Sequence, residues 1–259
     1  MKLSIFQVDA FTDHVFGGNP AAVCPLDEWP DDKIMQQLAL ENNLSETAFF
    51  VKKENEYELR WFTPEMEVDL CGHATLATAH VLFQHLGYKE PEIRFQTKSG
   101  LLKIRKEEER LLMDFPTDDM PLVEPPAVLF QALGIRSDLV FASDDYMVVL
   151  DSEEEVQNLD PDFRILSEVN ARGIIVTAPG DEVEFVSRFF APRAGIDEDP
   201  VTGSAHTKLT PYWSKRLGKD VLEARQISKR VGTLTCRYKG ERTEILGKAV
   251  TYMIGEIHI

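Results

Sequence analysis

The sequence has little cysteine and a deficit of positive charge, and each shortage excludes a class of protein. Its three cysteines, Cys24, Cys71 and Cys236, cannot all pair within one chain and form no CxxC motif. That argues against a zinc ribbon and favours a reducing compartment. Only 28 Lys and Arg stand against 44 Asp and Glu, which gives a formal charge of −16. Phosphate backbones and anionic membranes repel such a surface, so we expect neither nucleic acid nor a membrane as a partner.

Long apolar runs and several catalytic motifs are also missing. No apolar run approaches the roughly 18 residues of a membrane span, and the N-terminus does not resemble a signal peptide, which together predict a cytoplasmic protein. The motifs GxSxG and GxGxxG and the P-loop motif are absent, so a serine hydrolase, a Rossmann dehydrogenase and a P-loop enzyme have no support. Because His73, His80 and His85 are not spaced i, i+4, we expect no metal site on their helix.

The composition that remains is typical of a globular protein, with 43% apolar and 28% charged residues. Helical spacing predicts helices over 30–42, 74–86, 127–133, 163–170 and 203–217, with Pro211 bending or interrupting the last. Apolar alternation predicts strands over 2–10, 46–51, 56–63, 92–105, 110–115, 146–150, 173–178, 183–190 and within 233–259. The proline-rich segment 116–126 is the best candidate for a linker.

An internal repeat relates two parts of the chain. ELRWFTPEMEVDLCGHATLATAH, from Glu58, resembles EFVSRFFAPRAGIDEDPVTGSAH, from Glu184, and identical residues recur at a constant offset of 128. An offset of about half the chain indicates two related domains, which we place at 1–118 and 119–259, the last strand being able to cross back to the first domain. The same offset aligns Cys71 with Asp199. Each half is therefore expected to place a proton-exchanging group at the start of a helix.

The segment LCGHAT, at 70–75, is the first candidate site. Gly72 allows close backbone approach, and the helix that follows offers unpaired N–H groups to an anion. His73 can exchange protons near neutral pH, and a helix start favours a thiolate at Cys71. The alternative is a small buried cysteine beside a histidine that serves only the turn.

The segments DEDPVTGSAH and NLSETAFF supply two further candidates. Gly203 and Ser204 lie where a helix is expected to begin and could cradle a carboxylate, with Asp199 at the rim as a base or orienting group. Alternatively, this is an acidic loop that caps a helix. Glu46 lies at the edge of an apolar strand, and carboxyl groups beside apolar neighbours can act as acid or base. A strand-end glutamate that faces water is the simpler interpretation.

Taken in order, FTDHVFGGNPAAVC, NLSETAFF, RWFTPEMEVDLCGHATLATAH and GIDEDPVTGSAH resemble the PhzF-like isomerase family, which is named for phenazine biosynthesis. The resemblance covers essentially the whole chain. It implies the α+β fold of diaminopimelate epimerase: two similar domains, each a mostly antiparallel sheet wrapped around a central helix, with the active site in the cleft between them. A homodimer is a further implication of the family.

The resemblance also implies roles for individual residues. Glu46 would be the acid/base that moves a proton within the substrate, while His73 and Asp199 would line the same pocket. Gly72, Gly203 and Ser204 would bind a small, carboxylate-bearing substrate. In the phenazine enzyme the substrate is a dihydro-hydroxyanthranilate, and neither metal nor organic cofactor takes part.

Two alternatives stay open on the same fold. Diaminopimelate epimerases use one cysteine from each half, whereas Asp199 stands at the second position here. That disfavours a two-thiol racemase but leaves a racemase or epimerase that uses Cys71 and Asp199. A non-catalytic metabolite-binding protein is the other alternative.

Overall fold

The computed structural model describes residues 2–259, which divide into two compact units: residues 2–114 with Glu244–Ile259, and Phe115–Thr243. Unit 1 contains, in chain order, β1 (Lys2–Ala10), β2 (Asn19–Leu26), α1 (Asp32–Asn42), β3 (Glu46–Lys52), β4 (Tyr57–Phe62), β5 (Glu67–Val68), α2 (Gly72–Gln84), β6 (Glu92–Thr97), β7 (Gly100–Glu107) and most of β8 (Arg110–Pro116). Strand β17 (Ala249–His258) also belongs to unit 1 and pairs antiparallel with β1 along its length.

Unit 2 contains α3 (Ala127–Leu133), β9 (Val140–Ala142), β10 (Tyr146–Val149), α4 (Glu153–Gln157), α5 (Phe163–Leu166), β11 (Ile174–Pro179), β12 (Phe185–Ala191), a 3₁₀ turn (Pro192–Ala194), β13 (Ile196–Asp199), α6 (Gly203–Leu217), β14 (Val221–Gln226) and β15 (Gly232–Tyr238). Strand β16 (Arg242–Gly247) runs across the boundary between the units. Among the helices of residues 2–259, none has the length and apolarity needed to cross a membrane.

The strands of the two units pair in the same order. In unit 1, β1 is antiparallel to β2, β2 is parallel to β3, β3 is antiparallel to β4, and β4 is parallel to β6. In unit 2 the same relations hold for β9 with β10, β10 with β11, β11 with β12, and β12 with β14. Short strands β5 and β13 lie antiparallel to β4 and β12.

The repeated arginines make matching contacts in the two units. Arg60 forms a two-pronged ion pair with Glu67, at 2.8 and 2.9 Å, and lies over the ring of Phe62. Arg188 does the same with Glu198, at 2.7 and 3.0 Å, and lies over Phe190. The repeat therefore preserves a local arrangement of side chains as well as a sequence pattern. The planar guanidinium of arginine suits this arrangement, because it can contact a carboxylate and an aromatic face together.

Each unit contains one long helix that is buried on most sides. Nine of the 13 residues of α2 and ten of the 15 residues of α6 are buried, as expected for a helix enclosed by other elements. Helix α6 continues through Pro211 without interruption. Proline cannot donate to the carbonyl of Thr207, and that oxygen instead accepts from the backbone N–H of Asp118 at 3.2 Å.

The predicted elements needed several corrections. Helix α2 begins two residues earlier than predicted, and the predicted helix over 163–170 ends at Leu166. Strands β2, β5, β9, β13 and β14 were not predicted. Short or half-exposed strands such as β5, β9, β13 and β14 carry little apolar alternation, and β2 shows none because six of its eight residues are buried.

Candidate active site

Glu46 is the first residue of β3, directly after the turn that ends α1. That turn is made by Asn43 in the left-handed conformation, with φ 49°. The strand that follows is buried from Thr47 to Val51, so the chain enters the interior at Glu46. The side chain of Glu46 is only 13% exposed, which corrects the alternative in which it simply faces water.

His73, the second residue of α2, lies beside this carboxylate. The distance from its Nε2 atom to Oε2 of Glu46 is 3.1 Å, and the His73 side chain is 5% exposed. No regular hydrogen bond joins the two atoms, and neither has a hydrogen-bond partner elsewhere within residues 2–259. Two buried, proton-exchanging groups are therefore in direct contact.

The other ring nitrogen of His73 faces two further polar groups. Its Nδ1 atom lies 3.2 Å from the amide nitrogen of Asn19 and 3.5 Å from the sulfur of Cys71. Asn19 is fully buried and was not predicted as a site residue, although it lies in the segment FTDHVFGGNPAAVC. The usable signal was Gly18, whose φ of +58° and close approach to the carbonyl of Ala10 require glycine there. That turn places Asn19 at the start of β2.

Burial and charge shift the pKa values of this group in a consistent direction. Burial raises the pKa of the Cys71 thiol to about 11, and the carboxylate of Glu46 adds to the effect. Burial by itself would lower the pKa of His73, but the neighbouring Cys71 and Glu46 raise it well above its ordinary value. Both neighbours therefore favour the imidazolium form of His73.

The same three residues could hold a metal ion. Ligand atoms of Glu46, Cys71 and His73 all lie within 4.8 Å of one another. Thiolate, imidazole and carboxylate are ligands of zinc. A metal here would have to displace the tightly held proton of Cys71.

Gly72 and His73 form the first turn of α2, where backbone N–H groups lack partners within the helix. Cys71 is the N-cap residue, and its side chain makes no capping hydrogen bond. The position of Gly72 at the helix start agrees with the sequence motif, and such a turn is suited to an anion.

Asp199 is the last residue of β13 in unit 2. Its Oδ2 atom accepts a hydrogen bond from the hydroxyl of Thr202 at 2.5 Å, and its backbone oxygen accepts from the amide of Gln226 at 2.8 Å. The structure differs from the prediction made by aligning the repeat. Cys71 is the N-cap of α2, whereas the N-cap of α6 is Thr202, three residues after Asp199. Strand β13 has four residues, whereas the matching strand β5 has two, and this longer strand delays the start of α6 relative to α2.

Gly203 and Ser204 are the first two residues of α6, as predicted. The hydroxyl of Ser204 accepts a hydrogen bond from Nη1 of Arg172 at 3.1 Å. Arg172 was missed because it precedes β11 without any motif around it. The structure thus brings Glu46 and His73 together in unit 1 and places Asp199 and Ser204 around the start of α6 in unit 2.

Comparison with known proteins identifies the family. The family model for phenazine biosynthesis-like proteins (PhzC-PhzF) matches residues 8–255. The chain belongs to the PhzF family. An uncharacterized isomerase of Pseudomonas aeruginosa is 54% identical over 259 residues, and the match covers all of both chains. The crystal structure of a PhzF family protein from Enterococcus faecalis is 47% identical and superposes with a TM-score of 0.98, again over the full length of both chains.

The PhzF family assignment confirms the predicted resemblance and the prediction of an isomerase. The predicted α+β fold is also confirmed. A probable proline racemase from Agrobacterium radiobacter, only 10% identical, superposes with a TM-score of 0.67 over 99% of this chain and 93% of its own. At that identity the likeness concerns the fold alone.

Proposed function

We propose that this PhzF family member is a cofactor-independent isomerase that moves a proton within a small, carboxylate-bearing metabolite, with Glu46 as the acid/base. The observation that carries the proposal is the buried contact of 3.1 Å between Glu46 and His73. A carboxylate shielded from bulk water can take a proton from one carbon and return it to another before solvent exchanges it.

His73 supports this role by its charge. An imidazolium in contact with Glu46 would hold the carboxylate in place by a charge-assisted contact at 3.1 Å. The N–H groups at the start of α2 would stabilise the anion that develops when the proton leaves. As the family resemblance implies, we further propose that Asp199, Gly203 and Ser204 serve the same substrate.

The test is proton NMR in D₂O on a panel of small carboxylates that includes dihydro-hydroxyanthranilate. Wild type is compared with Glu46→Gln and with Glu41→Gln, which removes an exposed carboxylate from α1. General acid/base catalysis contributes about 10²- to 10⁴-fold, so Glu46→Gln should lose at least about 100-fold in rate while Glu41→Gln keeps full activity. Wild-type rates in Glu46→Gln would end the assignment, and ligand-dependent thermal stabilisation without isomerisation would favour a non-catalytic binding protein.

A racemase that uses Cys71 and Asp199 is less well supported. With the pKa of Cys71 raised to about 11, only about one thiol in 10⁴ is ionised at pH 7. Such a thiol is a poor base. Cys71→Ser should therefore keep most of the activity, whereas a racemase of this type would lose it.

We also propose that the protein forms a homodimer. Strand β17 exposes Tyr252 and Ile254, which are 49% and 60% accessible, and exposed apolar side chains on a strand are typical of contact surfaces. Sedimentation equilibrium of wild type and Ile254→Lys tests this proposal, since a monomeric wild type would contradict it.

A further inference from the structure

A cluster of charged side chains lies at the start of α6, outside the groups that the proposed proton transfer uses. Lys208, only 4% exposed, contacts Asp118, Asp144 and Asp145 at 3.1, 2.8 and 3.0 Å. Asp145 is fully buried, and one of its oxygens has no hydrogen-bond partner within residues 2–259. Asp118 and Asp144 are 41% and 55% exposed, so the buried charges of the cluster are those of Lys208 and Asp145. A buried ion pair of this kind is costly and often adds little stability, so we look for a further role.

Arg172 connects this cluster to Ser204. Its Nε atom lies 3.0 Å from Oδ2 of Asp144, its Nη2 atom donates to Asp145, and its Nη1 atom donates to Ser204. The guanidinium also lies over the ring of Phe189, 5.5 Å from its centroid. These contacts fix the plane of the guanidinium. A lysine has one ammonium group and no planar guanidinium, so it could not make all of these contacts at once.

The direction of the hydrogen bond between Arg172 and Ser204 determines what Ser204 can do. A guanidinium only donates, so the oxygen of Ser204 accepts, and its own hydrogen is left for a different acceptor. The hydroxyl of Thr207 donates to the backbone carbonyl of Ser204 and does not use that hydrogen. Within residues 2–259, the structure shows no acceptor for it. The hydroxyl is therefore ready to donate to a ligand.

We propose that Arg172 is a positioning residue, which fixes the hydroxyl of Ser204 as a donor to a carboxylate oxygen of the substrate. The proposal rests on the proposed function for the assignment of Ser204 to the substrate site. The cluster has two cations, Arg172 and Lys208, against the three carboxylates of Asp118, Asp144 and Asp145. The charge of Arg172 is thus already balanced, and its contribution is the orientation of Ser204 rather than net attraction of an anion.

A double-mutant cycle tests this mechanism through binding alone. Anthranilate serves as the carboxylate probe, and its Kd is measured by calorimetry for wild type, Arg172→Lys, Ser204→Ala and the double variant. Arg193→Lys is the matched control, because Arg193 donates to Val169 and Asn170 of the same loop without touching Ser204. Arg172→Gln gives a second cycle, in case one replacement does not fold.

We expect Arg172→Lys and Ser204→Ala each to raise the Kd about tenfold, and Arg193→Lys to leave it unchanged. In the Ser204→Ala background, Arg172→Lys should change the Kd less than about twofold, because its effect passes through the missing hydroxyl. Additive effects would show that Arg172 is merely structural and would overturn the proposal, as would failure of wild type to bind anthranilate. The experiment measures binding and not turnover. Its outcome for Arg172 and Ser204 is therefore distinguishable from a failure of the isomerase assignment.

Discussion

Acid should destabilise the protein through a histidine in α6. His206 is fully buried, with its ring beside Phe185 at a centroid distance of 5.9 Å. Its Nδ1–H donates to the backbone oxygen of Thr202 at 2.8 Å, while Nε2 has no partner within residues 2–259. Burial lowers the pKa of His206 to about 4, although the bond to Thr202 opposes the change. Protonation would place an imidazolium with an unsatisfied donor in an apolar site.

The size of the effect follows from linkage. The ordinary pKa of histidine is 6.5, and the folded value is depressed to about 4. The stabilisation from neutral His206 is therefore complete above about pH 6.5 and is lost as the pH falls through about 4. The gap corresponds to about 3 kcal/mol in the free energy of unfolding. Burial also lowers the pKa of His80 to about 4, so a variant is needed to isolate the share of His206.

Urea unfolding at several values between pH 7 and pH 4 measures this share. His206→Asn keeps a donor near the Thr202 carbonyl but does not titrate, so the stability gap between wild type and variant should shrink by about 3 kcal/mol over that range. Leu209→Ala, which removes a buried apolar side chain from the same helix, should lower stability equally at every pH. If the curves of wild type and His206→Asn stay parallel, the reasoning about the buried imidazole is wrong.

Three further predictions concern unit 1. Gly18→Ala should lower the free energy of unfolding, measured by thermal unfolding, by at least about 2 kcal/mol, because the new Cβ would lie 2.0 Å from a carbonyl oxygen at a positive φ. Gly87 also has a positive φ but has open space around it, so Gly87→Ala should cost only about 1 kcal/mol. Equal losses would contradict the steric argument. In an NMR titration, the ring of His73 should change protonation well above pH 6.5. Glu46→Gln should lower the pKa of His73, because the variant removes a carboxylate that favours the imidazolium. An unchanged pKa in the variant would contradict the charge argument. Alkylation of Cys71, followed by peptide mass spectrometry, should be slow at pH 8 and rise about tenfold per pH unit toward pH 11, and rapid labelling at pH 8 would contradict a buried thiol.

Much of the site could be predicted because its residues lie in short local motifs. Glu46, His73 and Ser204 each follow a recognisable turn at the start of a strand or helix, and the structure places them where those motifs indicated. The repeated arginines, Arg60 and Arg188, could likewise be paired from the constant offset, and the ion pairs that recur, to Glu67 and Glu198, lie within ten positions of the arginine.

The remaining features depend on contacts that sequence spacing does not encode. Asn19 reaches His73 across 54 residues, and Arg172 reaches Ser204 across 32. Neither contact produces a periodic pattern, and an isolated Asn or Arg is ordinary in a loop. Asp199 lies three residues before the N-cap of α6, whereas Cys71 is itself the N-cap of α2. The identical residues keep the same offset on both sides of this difference, so the offset does not reveal it.

The pairing of β17 with β1, in which His258 lies opposite Lys2, has a consequence for biosynthesis. Unit 2 is one continuous segment, Phe115–Thr243, and all of it is synthesised before β17. Unit 1 lacks β17 until residues 249–258 are made, although its segment 2–114 is synthesised before unit 2. The nascent chain must therefore keep β1 unpaired on one edge throughout the synthesis of unit 2. Truncations that remove β17 should expose that edge to aggregation.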